Sequence, residues 1–190
     1  MVVRPRLASV NLAREGSLKY VRHVVRTGIF KEPAAGRVRL RTLGLEGDFQ
    51  ADLSVHGGAE KAAYAYPSEH YPYFRDLLGR QDLSYGFFGE NFTTEGLLED
   101  NVHAGDVLRI GTAMVRVTTP RSPCFKLGAK AGSPAFIAAF LSSRRLGFYL
   151  SVVEEGEAGA GDAIERVSRG AASPTIARVI EERYFLGNAE

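Results

Sequence analysis

The amino-acid sequence predicts a mainly β domain, a barrel or folded sheet, with a few helices. Turn-forming groups rich in glycine recur along the chain, among them "GLEGD", "YGFFGEN" and "EGEAGAGD". Short runs of β-branched or alternating residues lie between these turns, and this spacing is typical of a fold built from many short strands.

These runs give the predicted strands in chain order, which are residues 7–12, 19–25, 38–43, 61–66, 106–110, 113–119, 148–154 and 164–167. A further segment, "DFQADLSVH", would in extended form place one polar face on Asp48, Gln50, Asp52, Ser54 and His56. That face either lies in water or lines a polar cleft. The second reading draws on the two glycines that follow, which permit a ligand to approach the backbone closely.

Three helices are predicted from their capping signals. The first covers residues 68–79, with Ser68 as N-cap and an end at Gly79. The second covers residues 133–145, with Ser133 as N-cap, a proline at the first position and two arginines in the last turn. The third is a short C-terminal helix, residues 174–185, which has the same Ser-Pro opening.

The overall composition predicts one domain that spans residues 1–190, because 190 residues with 45% hydrophobic content suffice for one core. The longest strongly apolar run, "AFIAAFL", is far shorter than the roughly 20 residues that cross a bilayer, and the N-terminus lacks the apolar stretch of a secretion signal. With one cysteine, no internal disulfide can form. We therefore expect a cytoplasmic protein with no membrane association.

Positive charge is concentrated in two parts of the chain. Residues 107–153 contain no acid but seven cations, which are Arg109, Arg116, Arg121, Lys126, Lys130, Arg144 and Arg145. Residues 1–31 carry seven cations against one acid, Glu15. If the two segments converge, they form a cationic concavity suited to phosphate; the alternative is a set of scattered surface charges. The sequence contains no recognisable DNA-recognition helix and no recognisable set of aromatic residues on which bases could stack. No nucleic-acid partner is therefore expected.

Several common catalytic motifs are absent from the sequence, which contains no GxxxxGK[ST], GxGxxG, HExxH, GxSxG or CxxC. The four histidines also lack a metal-ligand spacing. The sequence therefore gives no support to a P-loop nucleotidase, a Rossmann dehydrogenase, a zincin, an α/β-hydrolase or a zinc ribbon.

The single cysteine, Cys124, lies in "PRSPCFKLG". A lone cysteine is most often a small buried hydrophobe. Here Arg121 and Lys126 would favour the thiolate, while Pro120 and Pro123 make the segment rigid. Such a thiolate beside phosphate-binding cations is suited to hold a soft transition metal whose organic ligand carries a phosphate.

Several segments together resemble the MOSC domain family (molybdenum cofactor sulfurase C-terminal domain), in particular its YiiM-like branch. They are "RTGIFKEP", "GLEGDFQAD", "VHGGAEKAAYAYPSEHYPYF", "FGENFTTEGLLEDNVHAGDVLRIG", "PRSPCFKL" and "GFYLSVVEEGEAGAGD". The resemblance covers about residues 7–169, which would be the core of a single MOSC domain. It implies a MOSC-type β-barrel with a few peripheral α-helices that binds a molybdopterin-type molybdenum cofactor; pyridoxal phosphate is not expected.

The resemblance also implies roles for particular residues. Cys124 would be the protein ligand to molybdenum, and Cys124 and His56 would be catalytic, with His56 as general acid. The predicted cofactor-binding residues are Arg121, Lys31, Asn91, Thr27, Lys61 and Lys126. Arg121 leads this set because its guanidinium can grip a phosphate with two hydrogen bonds.

The implied activity is the reduction of N-hydroxylated bases or related compounds, such as 6-hydroxylaminopurine, to amines. Since no flavin, haem or iron–sulfur signature is visible, electrons would come from a separate donor protein. The sequence leaves two other functions open: a non-catalytic carrier of cofactor or sulfur, and metal-free catalysis by a Cys124–His56 pair. Assembly as a homodimer is also left open.

Overall fold

Strands dominate the structure, a computed structural model that describes residues 4–51, 57–170 and 173–186. The strands are β1 (Arg6–Leu12), β2 (Gly16–Tyr20), β3 (His23–Thr27), β4 (Glu32–Pro33), β5 (Arg37–Arg41), β6 (Gly44–Leu45), β7 (Ala63–Pro67), β8 (Phe92–Glu95), β9 (Val107–Ile110), β10 (Ala113–Pro120), β11 (Phe148–Glu154), β12 (Gly156–Gly159) and β13 (Ile164–Ser168). The helices are α1 (Tyr71–Leu78), α2 (Phe125–Ala131), α3 (Phe136–Ser142) and α4 (Ile176–Glu181). The predicted mainly β class is confirmed.

The large sheet is mixed, with the strand order β13-β9-β10-β11-β7-β8-β1-β4. Neighbouring strands run antiparallel except β7 and β8, which are parallel. The sheet does not close into a continuous barrel among the described residues. It curls toward closure, because the start of β1 bonds to residues 161–164: Leu7 N donates to Asp162 O at 2.8 Å, and Gly161 N donates to Leu7 O at 2.7 Å.

Two smaller elements complete the β structure. Strands β12, β5 and β6 form a three-stranded sheet in that order, and β2 and β3 form a separate hairpin. The sequence predicts a single strand over residues 19–25, and this prediction is wrong. The chain reverses at Val21 and Arg22, so the two halves of the apolar run pair with each other.

The polar strand predicted for residues 48–56 is not found where the structure describes this segment. Residues 48–51 lie in a turn and irregular backbone, because Asp48 N bonds back to Leu45 O and closes a tight turn. Residues 52–56, which include Asp52 and His56, lie outside the described residues.

The helices differ from their predicted bounds at the N-terminal ends. Residues Ser68–His70 form a 3-10 turn before α1, and Ser68 makes no side-chain capping bond. Helix α3 begins after Ala135, so Ser133 does not cap it. The last turn predicted for α3 is also wrong, since Arg144 lies beyond the helix with a φ of 59°. Helix α4 continues into a π-helical turn, Glu182–Leu186.

Helix α2 was not predicted, although it follows Cys124 directly. The sequence from Phe125 to Ala131 has no N-capping side chain, and two prolines precede it. The helix ends at Gly132, which has a φ of 78° and donates to two carbonyls of the last turn. Left-handed glycine at this position is a common helix terminator.

Helices α1 and α3 pack on the sheet through an aromatic cluster. Tyr66 of β7 lies 4.4 Å from Phe88, measured between ring centroids, and Phe140 of α3 lies 5.7 Å from Phe88 and 5.4 Å from Phe74 of α1. All four rings are fully buried. Large rings in tilted or offset contact contribute beyond the area they bury, so this cluster is the main apolar anchor of both helices.

No helix in the described ranges, with their gaps after residues 51 and 170, is both long enough and apolar enough to cross a membrane.

Replacing Phe140 with alanine removes the ring shared by Tyr66, Phe74 and Phe88 and leaves a cavity. We expect the free energy of unfolding to fall by about 3–5 kcal/mol, measured by urea denaturation. Leu77→Ala on α1 is the control, since Leu77 is 47% exposed and its loss should cost less than about 1 kcal/mol. Equal losses in the two variants would contradict this account of the core.

Candidate active site

A cavity of about 620 Å³, solvent-open space included, lies beside the large sheet. Its walls come from residues 27–31 after β3, residues 48–51, the end of the turn before β7, residues 89–91 and residues 121–126. Four cations line it, Lys31, Lys61, Arg121 and Lys126, against one carboxylate among the described residues, Asp48. One cation of the first basic segment, Lys31, thus lies in the same hollow as two of the second, Arg121 and Lys126.

The structure brings together the predicted site residues that it describes. The cavity is lined by Thr27, Lys31, Lys61, Asn91, Arg121, Cys124 and Lys126. His56 lies outside the described residues, as does Asp52. The roles of these residues toward a cofactor or substrate stay predictions.

Lys31 and Asp48 form a buried ion pair on the cavity wall. The Lys31 Nζ atom donates to both carboxylate oxygens at 2.6 Å, and the side chains are 7% and 1% exposed. Burial lowers the pKa of Lys31, and the Asp48 carboxylate partly offsets this effect. A buried pair holds only where further hydrogen bonds complete it. Asp48 meets this condition because it also accepts from Ala13 N at 2.8 Å.

The side chain of Asn91 uses its hydrogen bonds on protein groups around this ion pair. Its Nδ2 donates to Asp48 Oδ2 at 2.8 Å and to Asn11 O at 3.3 Å, and its Oδ1 accepts from Tyr64 N at 3.2 Å. Every polar atom of the side chain is therefore engaged with protein. Asn91 fixes Asp48 against β1 and β7, which is a positioning role.

The wall formed by residues 27–31 is shaped by a close backbone approach. Thr27 is buried, and its Oγ1 accepts from Ile29 N at 3.2 Å. A Cβ atom at Gly28 would lie 1.9 Å from Phe49 O. Only glycine therefore permits this segment to lie against residues 48–51, which places Lys31 opposite Asp48.

Arg121 is a buried cation that forms no ion pair within the described ranges. It is 6% exposed, its guanidinium carbon lies 5.0 Å from the Tyr64 ring centroid, and its Nη1 is buried without a hydrogen-bond partner in the part of the chain that the structure describes. Burial lowers the pKa of Arg121, but nearby Tyr64, Tyr149 and Cys124 outweigh it and raise that pKa. A buried donor of this kind is costly unless something binds it.

Cys124 lies at the junction of the rigid segment and α2, with extended backbone angles of −131° and 164°. It is of intermediate exposure and lines the cavity, so it is not a core residue. Cys124 is one of the groups whose charge raises the pKa of Arg121, and both residues line the cavity. The thiol and the buried cation thus share one hollow.

Lys61, Lys126 and Tyr149 surround this pair. The Lys61 Nζ atom lies 5.7 Å from the Tyr149 ring centroid, and Lys126 occupies the second position of α2. Burial raises the pKa of Tyr149, although Arg121 acts in the opposite direction. Tyr149 therefore stays protonated at neutral pH and offers a neutral hydroxyl at the cavity wall.

The C-terminal segment contacts the cysteine segment. The hydroxyls of Tyr184 and Ser122 are hydrogen-bonded, and Arg144 forms an ion pair with Glu181 at 2.7 Å. The π-helical turn after α4 is thereby tied to the residues that carry Cys124.

Lys130 contacts the cavity wall, and the sequence analysis did not include it among the site residues. Its Nζ donates to Ile29 O at 2.9 Å and to Gly86 O at 3.0 Å, and it lies between the rings of Phe30 and Phe87. Recognition of α2 would have given the signal, since Lys130 follows Lys126 by one helical turn. Lys130 holds the 27–31 wall from outside the cavity.

No cluster of three or more His, Cys, Asp or Glu residues suited to hold a metal ion occurs within residues 4–51, 57–170 and 173–186.

Comparison with known proteins gives three relevant similarities. A model of the MOSC domain matches residues 52–165. The chain is 44% identical over 162 residues to the uncharacterized protein YflK of Bacillus subtilis, with 85% of this chain and 73% of YflK covered. It is 32% identical over 148 residues to a protein named "Reductase" from Gibberella moniliformis, with 76% of this chain but only 26% of that protein covered.

The fold is similar to a solved structure as well. The crystal structure of YiiM from Geobacillus stearothermophilus matches with a TM-score of 0.81 and 34% identity, with 97% of this chain and 86% of that chain covered.

Replacing Asp48 with asparagine should leave Lys31 buried without a counter-charge. We expect the free energy of unfolding to fall by about 3–5 kcal/mol. Asp82→Asn breaks an exposed pair with Arg80 and should cost less than about 1 kcal/mol. Urea denaturation of both variants measures the difference, and similar losses would show that the buried pair does not stabilise the wall.

Burial lowers the pKa of Lys130 to about 8. Above this pH the folded protein has released the Lys130 proton, whereas the unfolded chain keeps it up to the ordinary lysine range. Since the unfolded state then binds more protons, the free energy of unfolding due to Lys130 rises with pH, by at most ~1.4 kcal/mol per pH unit.

Urea denaturation between about pH 7 and pH 10 tests this effect of Lys130. Relative to Lys130→Met, the wild type should gain stability as the pH rises past about 8. Lys130→Arg keeps its charge throughout this range, so its stability relative to Lys130→Met should stay constant. A constant difference for the wild type as well would contradict the lowered pKa.

Proposed function

Since the chain belongs to the MOSC domain family, we propose that it is a molybdenum-cofactor-dependent reductase. Its substrates would be N-hydroxylated bases or related compounds, such as 6-hydroxylaminopurine, which it converts to amines. The observation that carries the proposal is the placement of the Cys124 thiol in the same cavity as Arg121, the buried cation whose Nη1 has no hydrogen-bond partner among the described residues.

The residues of the cavity fit a phosphate-bearing metal cofactor. The Nη1 of Arg121 has no partner in the part of the chain that the structure describes, so an anion would satisfy it, and a guanidinium suits a phosphate. Lys61 and Lys126 add positive charge to the same hollow. Cys124 offers one soft ligand, of the kind that thiolate-binding metals prefer.

We assign holding roles on this basis. Cys124 would ligate molybdenum, and Arg121, Lys61 and Lys126 would bind the anionic part of the cofactor. Thr27, Lys31 and Asn91 would form the wall against which it lies. When bound, the cofactor supplies the two-electron redox chemistry, while the protein supplies binding, orientation and electric field.

Lys31 contributes less net attraction for an anion than its position suggests. Its charge is balanced by Asp48 at 2.6 Å, so the pair acts mainly as a rigid part of the wall. Arg121 has no such partner among residues that the structure describes. We therefore assign the dominant attraction for an anion to Arg121.

The overall reaction breaks one N–O bond. An N-hydroxylated base takes up two electrons and two protons and gives the amine and water. His56 is the proposed proton donor to the departing oxygen. The neutral hydroxyl of Tyr149 at the cavity wall is a second group able to orient that oxygen.

The electrons would come from a separate donor protein. The relative named a reductase supports a reductive role, but the chain spans about a quarter of that protein, so its whole activity is carried over only as part of the proposal. A carrier of cofactor or sulfur would load the same cavity without turning over an N-hydroxylated substrate.

Cofactor loading tests the two leading assignments. The protein is produced in a host that makes molybdopterin, and molybdenum and pterin are measured per chain. We expect Cys124→Ser to lose metal and Arg121→Met to lose pterin, because one removes the ligand and the other the unpaired cation. Arg116→Met is the control, since Arg116 is an exposed cation on the strand that leads to Arg121.

A second measurement separates binding from folding. A buried charge with an unsatisfied donor costs free energy, and Arg121 has no ion-pair partner among the described residues. Cofactor-free Arg121→Met should therefore melt at or above the wild-type temperature. Equal loading of wild type and Cys124→Ser would refute the ligand assignment. Loaded wild type that leaves 6-hydroxylaminopurine unchanged with dithionite as reductant would favour the carrier.

A further inference from the structure

We propose that the β2–β3 hairpin, together with Phe30 and Phe125, is the docking surface for an acidic electron-donor protein. This inference rests on the proposed function, which requires electrons from outside the chain. The surface is called the hairpin face below.

The hairpin face is apolar where an ordinary surface hairpin would be polar. Val21 and Val24 are 76% and 73% exposed, and Tyr20, Phe30 and Phe125 are each about two-fifths exposed. The hairpin pairs with no other strand of the described chain. Exposed apolar side chains grouped around one element are typical of an interaction site.

The turn of the hairpin is conformationally strained. Val21 has a φ of 55°, a region that is costly for a β-branched residue and that asparagine or glycine would fill at lower cost. The strained side chain is also the most exposed of the apolar set, so packing within the chain does not offset the strain. A partner that buries Val21 would do so.

The hairpin face lies at the mouth of the candidate site. The Tyr20 ring centroid is 4.5 Å from that of Phe125, which directly follows Cys124. The Arg26 guanidinium lies 5.4 Å from the ring of Phe49, and Phe49 and Thr27 both line the cavity. A protein seated on this face therefore covers the entrance nearest the thiol.

Charge complementarity determines the kind of partner. Residues 14–27 carry four cations, Arg14, Lys19, Arg22 and Arg26, against one acid, Glu15, which pairs with Arg26 at 2.5 Å. The remaining cations are exposed and flank the apolar groups. A positive rim around an apolar centre steers and selects a partner with an acidic rim.

The test uses two acidic redox proteins, a flavodoxin and a [2Fe–2S] ferredoxin, and basic cytochrome c as the opposite-charge control. Binding to the cofactor-loaded protein is measured by titration at low and high salt. The wild type should bind at least one acidic protein, with affinity that falls as salt rises from about 50 to about 300 mM, and should not bind cytochrome c. Binding of neither acidic protein would overturn the proposal.

Two paired variants locate the surface. Val21→Ser/Val24→Ser and Lys19→Glu/Arg22→Glu should each weaken binding of the acidic donor about tenfold or more. Arg109→Glu/Arg116→Glu reverses two exposed charges on β9 and β10 and should bind as the wild type does. Hairpin variants that bind like the wild type would overturn the proposal.

Turnover distinguishes failure of docking from failure of the proposed function. With dithionite the hairpin variants should reduce 6-hydroxylaminopurine at the wild-type rate, and with the protein donor they should show a raised KM for that donor. If the wild type does not turn over with dithionite, the reductase proposal is rejected. The binding titration then still tests the docking surface. If the hairpin variants lose binding to anionic phosphatidylglycerol vesicles but bind the donor as the wild type does, the hairpin face binds a lipid surface instead. This result would overturn the proposal.

Discussion

The ion pair between Lys31 and Asp48 is the interaction on which the cavity depends. Removing two charges from water costs several kcal/mol per ion, and the structure offsets this cost with hydrogen bonds from Ala13 and Asn91 to the same carboxylate. Through Asn91 the pair is also joined to the backbone of β1 and β7. The pair therefore holds two loop segments of the wall together and, through Asn91, fixes them to the sheet.

This arrangement divides the cations of the hollow into two kinds. Lys31 is neutralised within the chain, whereas Arg121 keeps an unsatisfied donor in the described structure. Stacking on Tyr64 holds the guanidinium without satisfying its hydrogen-bonding capacity. Among the described residues the cavity thus has one buried cation with a counter-charge and one without, an arrangement that directs an anion to a defined place.

Most strands could be predicted from the local sequence, because the alternation of apolar and polar residues and the turn residues between strands each span only a few positions. Strand β11 matches its predicted bounds, and β1 and β10 differ from theirs by one residue. The hairpin was missed since a valine stands in a left-handed turn position, where sequence rules expect glycine or asparagine. Helix α2 was missed because backbone groups and a glycine stop define it, with no capping side chain at its start.

The sequence named residues that line one cavity in the structure, but it did not give their connections, and their roles stay predictions. Arg121 and Cys124 are close in sequence, so their shared context could be recognised directly. That Asp48 meets Lys31, and that Lys130 reaches Ile29 O, depends on how distant segments cross in space. One-dimensional patterns do not contain this information.

The bonding of the start of β1 to residues 161–164 has a consequence for biosynthesis. During translation β1 leaves the ribosome long before residues 161–164 are made. One edge of β1 is therefore unpaired during that time. An unpaired strand edge is a template for association with other chains. Nascent protein should therefore depend on chaperone shielding until translation is nearly finished, and truncation before residue 161 should yield aggregates and not a smaller folded unit.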